Sequence, residues 1–171
     1  MFIDTKKIGA QGLLLKDSIT LDPQLLIEDQ GTFTQPVDYT VFLSREGQMI
    51  KLRGQVSTLL SLPCVRCLED TRFAVDSKFD LMLMPVSLID PTHSELNPEE
   101  MEYIFFESEK IDLGKILMEQ INLCVPNKQT CQNNCQGICP SCGTNLNHEK
   151  CQCENTSEEN DVNLLFSKLK R

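Results

Sequence analysis

The placement of cysteine constrains this chain more than any other feature. Nine cysteines occur in 171 residues, two of them in Cys64-Val65-Arg66-Cys67 and the other seven between Cys124 and Cys153. In a secreted chain this density would read as a disulfide framework, but in a reducing compartment clustered thiols read as metal ligands. An odd count also fits complete disulfide pairing poorly. The N-terminal run Met1-Phe2-Ile3-Asp4-Thr5-Lys6-Lys7-Ile8 lacks a basic start, an apolar stretch and a small-residue cleavage site. The expectation is a cytoplasmic protein that holds metal.

The most specific motif is Cys139-Pro140-Ser141-Cys142-Gly143, a zinc-knuckle pattern. Proline fixes one φ, glycine accepts a positive φ, and the tight turn aims two sulfurs at one ion. Cys151 and Cys153 follow closely enough to complete a tetrahedral site, and Cys131 and Cys135 precede it. Cys64 and Cys67 can share an ion only across a turn, because residues i and i+3 of a continuous strand face opposite sides. Cys124, in the apolar run Ile121 to Val125, reads as a small core residue. Eight cysteines remain. One division assigns Cys64, Cys67, Cys131 and Cys135 to one site and Cys139, Cys142, Cys151 and Cys153 to another. A single site using four of the last six is the competing arrangement, so the expectation is one or two Zn2+ ions. A thiol redox pair at Cys64 and Cys67 is a further alternative, although that motif lies between two strand-like runs rather than at a strand–helix junction. His148 reads as a solvated loop residue, with replacement of one cysteine ligand as the alternative, and His93 has no companion.

Around these cysteines the chain alternates like a sheet. Leu13 to Leu21 suggests a strand, Val37 to Leu43 is rich in β-branched and aromatic residues, and Arg45 to Gln48 supplies a turn. Met49 to Leu62 and Arg72 to Met84 alternate apolar and polar residues, the second with a slip near Ser77 that suggests a bulge. Cys64 and Cys67 then fall at the connection between the second and third strands of an antiparallel meander. Residues 85 to 101 read as a long loop with three prolines, and Glu102 to Glu107 as a short strand. Asp112 is a good N-cap for a helix carrying Leu113, Ile116, Leu117 and Ile121, which Pro126 closes. Val162, Leu165, Phe166 and Leu169 have the spacing of a terminal amphipathic helix. The expected fold is α+β: a mainly antiparallel sheet over residues 13 to 107, a helix from 112 to 123, and a small Cys-rich zinc-binding C-terminal module. The segments are a β-rich domain over 1–126, the zinc module over 127–153, and an acidic linker with the terminal helix over 154–171.

Charge and composition exclude other classes. The formal charge is 16 − 25 = −9, and the excess acid lies before Pro126, so a simple phosphate-backbone binder is disfavoured. No apolar run reaches the roughly 18 residues that span a bilayer. No Ser/His/Asp grouping, phosphate loop or HExxH helix is present, and a four-thiolate site leaves no open coordination position. The chain therefore reads as non-enzymatic, without a small-molecule substrate.

Taken in order, Leu62-Pro-Cys-Val-Arg-Cys-Leu68, Ile111-Asp-Leu-Gly114 with Glu119 and Pro126, and Cys131 to Cys135 resemble the YceD-like family of large ribosomal RNA accumulation proteins. Gly137 to Asn147, the Cys151/Cys153 pair and Asp161 to Lys170 extend that resemblance, which runs from about Leu52 to the C-terminus. It implies a role in synthesis, processing or stability of large-subunit (23S) ribosomal RNA, without a known catalytic activity. The implied partners are the large-subunit precursor, ribosomal RNA or a basic ribosomal protein. A zinc module that binds RNA directly is the alternative.

Overall fold

A computed structural model describes residues 1–26, 31–88, 103–107 and 109–153. The predicted terminal helix, and most of the loop expected over residues 85–101, lie outside them. Among the described residues the chain forms eight strands and one α-helix: β1 (Phe2–Asp4), β2 (Leu13–Ile19), β3 (Thr32–Phe33), β4 (Val37–Glu46), β5 (Met49–Pro63), β6 (Asp70–Pro85), β7 (Tyr103–Phe106), β8 (Lys110–Asp112) and α1 (Leu113–Cys124). The main sheet runs β2-β4-β5-β6-β7, with β3 continuing the β4 edge of β5, while β1 and β8 form a separate antiparallel pair.

The central meander is the expected one. β4 and β5 are joined by the two-residue loop Gly47-Gln48 between the paired Glu46 and Met49. Gly47 occupies φ +66°, which the first position of such a hairpin loop requires. β5 and β6 pair continuously from Ile50↔Leu83 to Pro63↔Asp70. The bulge expected near Ser77 is therefore absent. Ser77 stands opposite Val56 in regular register, and the apparent slip is one polar residue on the inward-facing row.

The sheet departs from antiparallel order at one edge. β7 pairs with β6 in parallel, Met82 facing Tyr103. Parallel neighbours need a long crossover, which residues 86–102 supply.

Alternation decides which face is buried. Ile50, Leu52, Val56, Leu60 and Leu62 of β5 all point inward, as do Val37, Tyr39, Val41 and Leu43 of β4. α1 covers this face with Leu113, Ile116, Leu117 and Ile121, the first, third and fourth of which are fully buried. Asp112 caps the helix, its Oδ1 accepting from the Lys115 N–H at 3.3 Å. The outer face carries Lys51, Arg53, Gln55, Asp76 and Asp80 in cross-strand pairs, such as Arg53 Nε to Asp80 Oδ2 at 2.9 Å. Two consequences bear on function. The long β5–β6 hairpin projects Cys64 and Cys67 from one end of the sheet, and α1 delivers the chain to Cys131 beside them.

Candidate metal centres

Two turns of the same design hold the paired cysteines. In the first, the Cys64 N–H donates to the Glu69 carbonyl at 2.8 Å and the Leu68 N–H returns to the Cys64 carbonyl at 2.9 Å. In the second, Cys139 N–H donates to the Thr144 carbonyl at 2.8 Å, and Gly143 N–H returns to Cys139 at 2.9 Å. The residue after the second cysteine has positive φ in both, +63° at Leu68 and +75° at Gly143. Each knuckle thus curls its two sulfurs to one side, the first at the tip of β5–β6 and the second within the C-terminal segment.

Each knuckle meets a second cysteine pair. Cys64, Cys67, Cys131 and Cys135 form one group of four, and Cys139, Cys142, Cys151 and Cys153 the other; within each, all sulfurs lie within 4.8 Å of one another. The structure thus adopts the first of the two divisions that the spacing left open. Cys124 stays outside both, its Sγ 3.3 Å from the Gln120 carbonyl, packed against the core. His148 joins neither group: it is exposed and pairs with Glu69, whose carboxyl the His148 hydrogen bond holds below the usual carboxylate range.

The first group is the buried one. Cys64 is 0%, Cys67 5% and Cys135 3% exposed. Its sulfurs approach at 3.8 Å for Cys64–Cys135 and 3.6 Å for Cys67–Cys131. A zinc ion bound to thiolates at about 2.3 Å gives tetrahedron edges of about 3.8 Å, so the spacing fits that ion. The Arg66 N–H approaches Cys64 Sγ at 3.4 Å and the Asn147 side-chain amide approaches Cys135 Sγ at 3.3 Å, the donors that thiolates require. In the second group Cys139 is buried, Cys151 and Cys153 are half-buried, and Cys142 is exposed with its Sγ 3.2 Å from Thr144 Oγ1.

Ionisation in each group is split. Burial pushes the Cys64 thiol up, but the N–H groups of Arg66, Cys67 and Cys131 bring it down to about 6. At Cys67 the Glu69 N–H favours the thiolate, yet burial and the neighbouring sulfurs push the thiol up to about 12. In the second group the Thr144 hydroxyl and N–H lower Cys142 to about 6, and the Cys142 sulfur and burial hold Cys153 up at about 12. Four sulfurs this close cannot all carry negative charge unaided. A divalent cation at the centre would deprotonate all of them.

The segment bearing the second group is clasped to the first. The Val65 N–H donates to the Gln129 carbonyl at 2.9 Å, and Ile138 N–H to the Arg66 carbonyl at 3.1 Å. The Arg66 guanidinium reaches the Cys135 carbonyl at 3.0 Å. Gly137, at φ +76°, passes so close that a Cβ there would meet the Arg66 carbonyl oxygen at 3.1 Å. Sequence reasoning assigned no role to Arg66 or Asn147 in this clasp; the Asn145/Asn147 spacing, suited to side-chain-to-backbone turns, was the signal present.

Comparison with known proteins gives the family. The model of the large ribosomal RNA subunit accumulation protein YceD matches residues 52–171, more than two thirds of the chain and all eight grouped cysteines. The chain belongs to the YceD family. It is 28% identical over 173 residues to large ribosomal RNA subunit accumulation protein YCED homolog 1, chloroplastic, of Arabidopsis thaliana, covering 88% of this chain and 51% of that protein. The Zea mays homolog of the same name is 26% identical over 150 residues, 70% of this chain and 49% of the maize protein. A Mycobacterium tuberculosis protein is 31% identical over 127 residues, 74% of this chain and 58% of that one. The chain spans about half the length of the curated plant relatives it matches. No solved structure matches it. Among the described residues no helix is long and apolar enough to cross a membrane.

Proposed function

We propose that this chain is a non-enzymatic factor for the accumulation of large-subunit (23S) ribosomal RNA, acting in the cytoplasm on the large-subunit precursor and built around two structural zinc ions. The observation that carries the role is the YceD family match over residues 52–171, which spans both cysteine groups. Membership supports RNA accumulation as the process. The chemistry of the centres supports a structural rather than catalytic part in it. Four thiolates saturate a tetrahedral ion, so neither centre offers a position for substrate or activated water. When bound, zinc would supply charge neutralisation and cross-links: Cys64 and Cys67 would tie the sheet to Cys131 and Cys135, and the second group would close the loop beyond it. The acidic balance of the chain, −9 overall, suits a basic ribosomal protein as the docking partner within the precursor.

Depletion of the protein tests the role. Mature large-subunit RNA and the large-subunit peak of a sucrose gradient fall, while small-subunit RNA holds; normal large-subunit levels in depleted cells defeat the proposal. Direct affinity for RNA that drops steeply with salt, in place of co-sedimentation with particles, would make it an RNA binder instead. For the metal, mass spectrometry of the purified chain returns two zinc ions. Cys139→Ser lowers that number and Cys124→Ser does not. Equal metal in wild type and Cys139→Ser would remove the second centre.

A further inference from the structure

The two cysteine groups differ in burial and share a structural element, and both features bear on how they exchange metal. Resting on the zinc reading above, we propose that the centres are unequal and coupled. Cys64, Cys67, Cys131 and Cys135 hold a retained ion; Cys139, Cys142, Cys151 and Cys153 hold an exchangeable one; and Asn147 transmits occupancy of the second to the first.

The inequality follows from access. Three of the four cysteines in the first group are at most 5% exposed. Their pairs come from segments more than sixty residues apart, locked by the β5–β6 hairpin below and by the Arg66 clasp above. The second group is made from a local stretch, residues 139 to 153, and presents Cys142 to solvent. A competing ligand can attack an exposed thiolate stepwise, whereas a buried centre releases its ion only after the surrounding chain opens.

The coupling follows from the position of Asn147. It lies between Cys142 and Cys151, inside the loop that the second centre closes, yet its side-chain amide donates to Cys135 Sγ of the first at 3.3 Å. Its side-chain Oδ1 accepts from the Gln136 N–H at 2.8 Å, which holds the stretch of chain between the two centres. Asn145 Oδ1 steadies it by accepting from the Asn147 N–H and side-chain amide, each at 2.9 Å. An ion in the second centre fixes both ends of this loop and keeps the donor on the sulfur. Loss of that ion frees the loop and withdraws a hydrogen bond that a metal-bound thiolate needs. By linkage the first ion must stabilise the second to the same extent. Asn147 is a positioning residue, and its loss reduces retention by about 10–100-fold, the range for donors to metal ligands.

The test uses the full-length, zinc-loaded chain in an excess of free zinc of a different isotope, which keeps both centres filled while mass spectrometry counts release of the original ions. Wild type releases its two original ions in two phases of one ion each. Cys142→Ser abolishes the fast phase and also speeds the slow one. Cys131→Ser abolishes the slow phase. Asn147→Asp keeps an acceptor oxygen but removes the donor, and accelerates the slow phase by about 10–100-fold. Asn147→Ala, which adds no charge, does the same. Circular dichroism confirms that the sheet persists in each variant; should the Asn147 variants lose it, acceleration of the slow phase in Cys142→Ser carries the test. A chain that binds no zinc defeats the zinc reading and this inference together. Two ions released in a single phase, or a slow phase indifferent to Asn147→Asp and Cys142→Ser, defeat the coupling alone.

Discussion

Leu68 and Gly143 hold equivalent places in the two knuckles, and only one is the residue that the backbone asks for. Left-handed backbone brings an L-residue's Cβ against its own carbonyl at a cost of about 1–2 kcal/mol, which glycine avoids. Leu68 bears that strain at φ +63° and is 67% exposed, so little packing repays it. Leu68→Gly is expected to raise unfolding stability by up to about 1 kcal/mol in urea titration, the gain trimmed by the larger entropy of unfolded glycine. Gly143→Ala should lower it by about 1 kcal/mol, because no atom within 4 Å of the new Cβ adds a clash and conformation alone decides. Unchanged stability in both variants would mean that the knuckle backbone relaxes freely. The residue scale also shows what sequence could reveal. Cysteine spacing marked both knuckles because knuckle chemistry is local, and offered the two groups of four as one of two divisions. The strained Leu68 was not legible because leucine carries no sign of a left-handed backbone, and the Asn147 donor because it depends on where another segment comes to rest.

At the scale of elements, the β5–β6 hairpin is fixed by one absent side chain. Gly54 sits opposite Phe79 on β6 and Val41 on β4. A Cβ there would meet the Phe79 ring at 2.6 Å and Val41 Cγ1 at 2.7 Å. Phe79 therefore lies across the glycine, and this close approach replaces the missing side chain in the inward row. Gly54→Ala should cost about 1–3 kcal/mol, the usual penalty of overpacking, measured by thermal or chemical unfolding. Stability equal to wild type would show that the ring rotates away without cost. For α1, Leu117→Ala removes a side chain that is fully buried against the sheet, with an expected loss of about 2–5 kcal/mol. Period-2 and period-3.6 patterns exposed these elements well because one face of each is buried. The same patterns could not give the parallel pairing of β7: its four residues, Tyr103 to Phe106, are all apolar and half-buried, so alternation carries no direction. Nor could they distinguish a bulge at Ser77 from a polar residue in an unbroken ladder.

For the molecule as a whole, the apolar core and the two cysteine groups are separate sources of order. The core runs from Ile3 through β4, β5 and β6 to Ile121 and includes none of the eight grouped cysteines; Cys64, Cys67, Cys131 and Cys135 form a cluster of their own at the hairpin tip. The 131–153 segment has no comparable core; among its described residues the regular pairing is the single bridge Ile138↔Asn145. Its order rests on the sulfurs, the Arg66 clasp and short turns. On the proposed zinc reading, removal of the metal should therefore open this segment and leave the sheet folded. With chelator, hydrogen exchange should accelerate at Ile138, Leu146 and Val65, whose N–H groups donate to Arg66, Gly137 and Gln129 across the clasp. Amides of Leu52 and Val56 in the centre of β5 should keep their protection, and the far-ultraviolet signal of the sheet should persist. Loss of protection throughout β5 would mean that metal and core fold as one cooperative unit, and would make the centres a condition for the sheet rather than a clasp placed upon it.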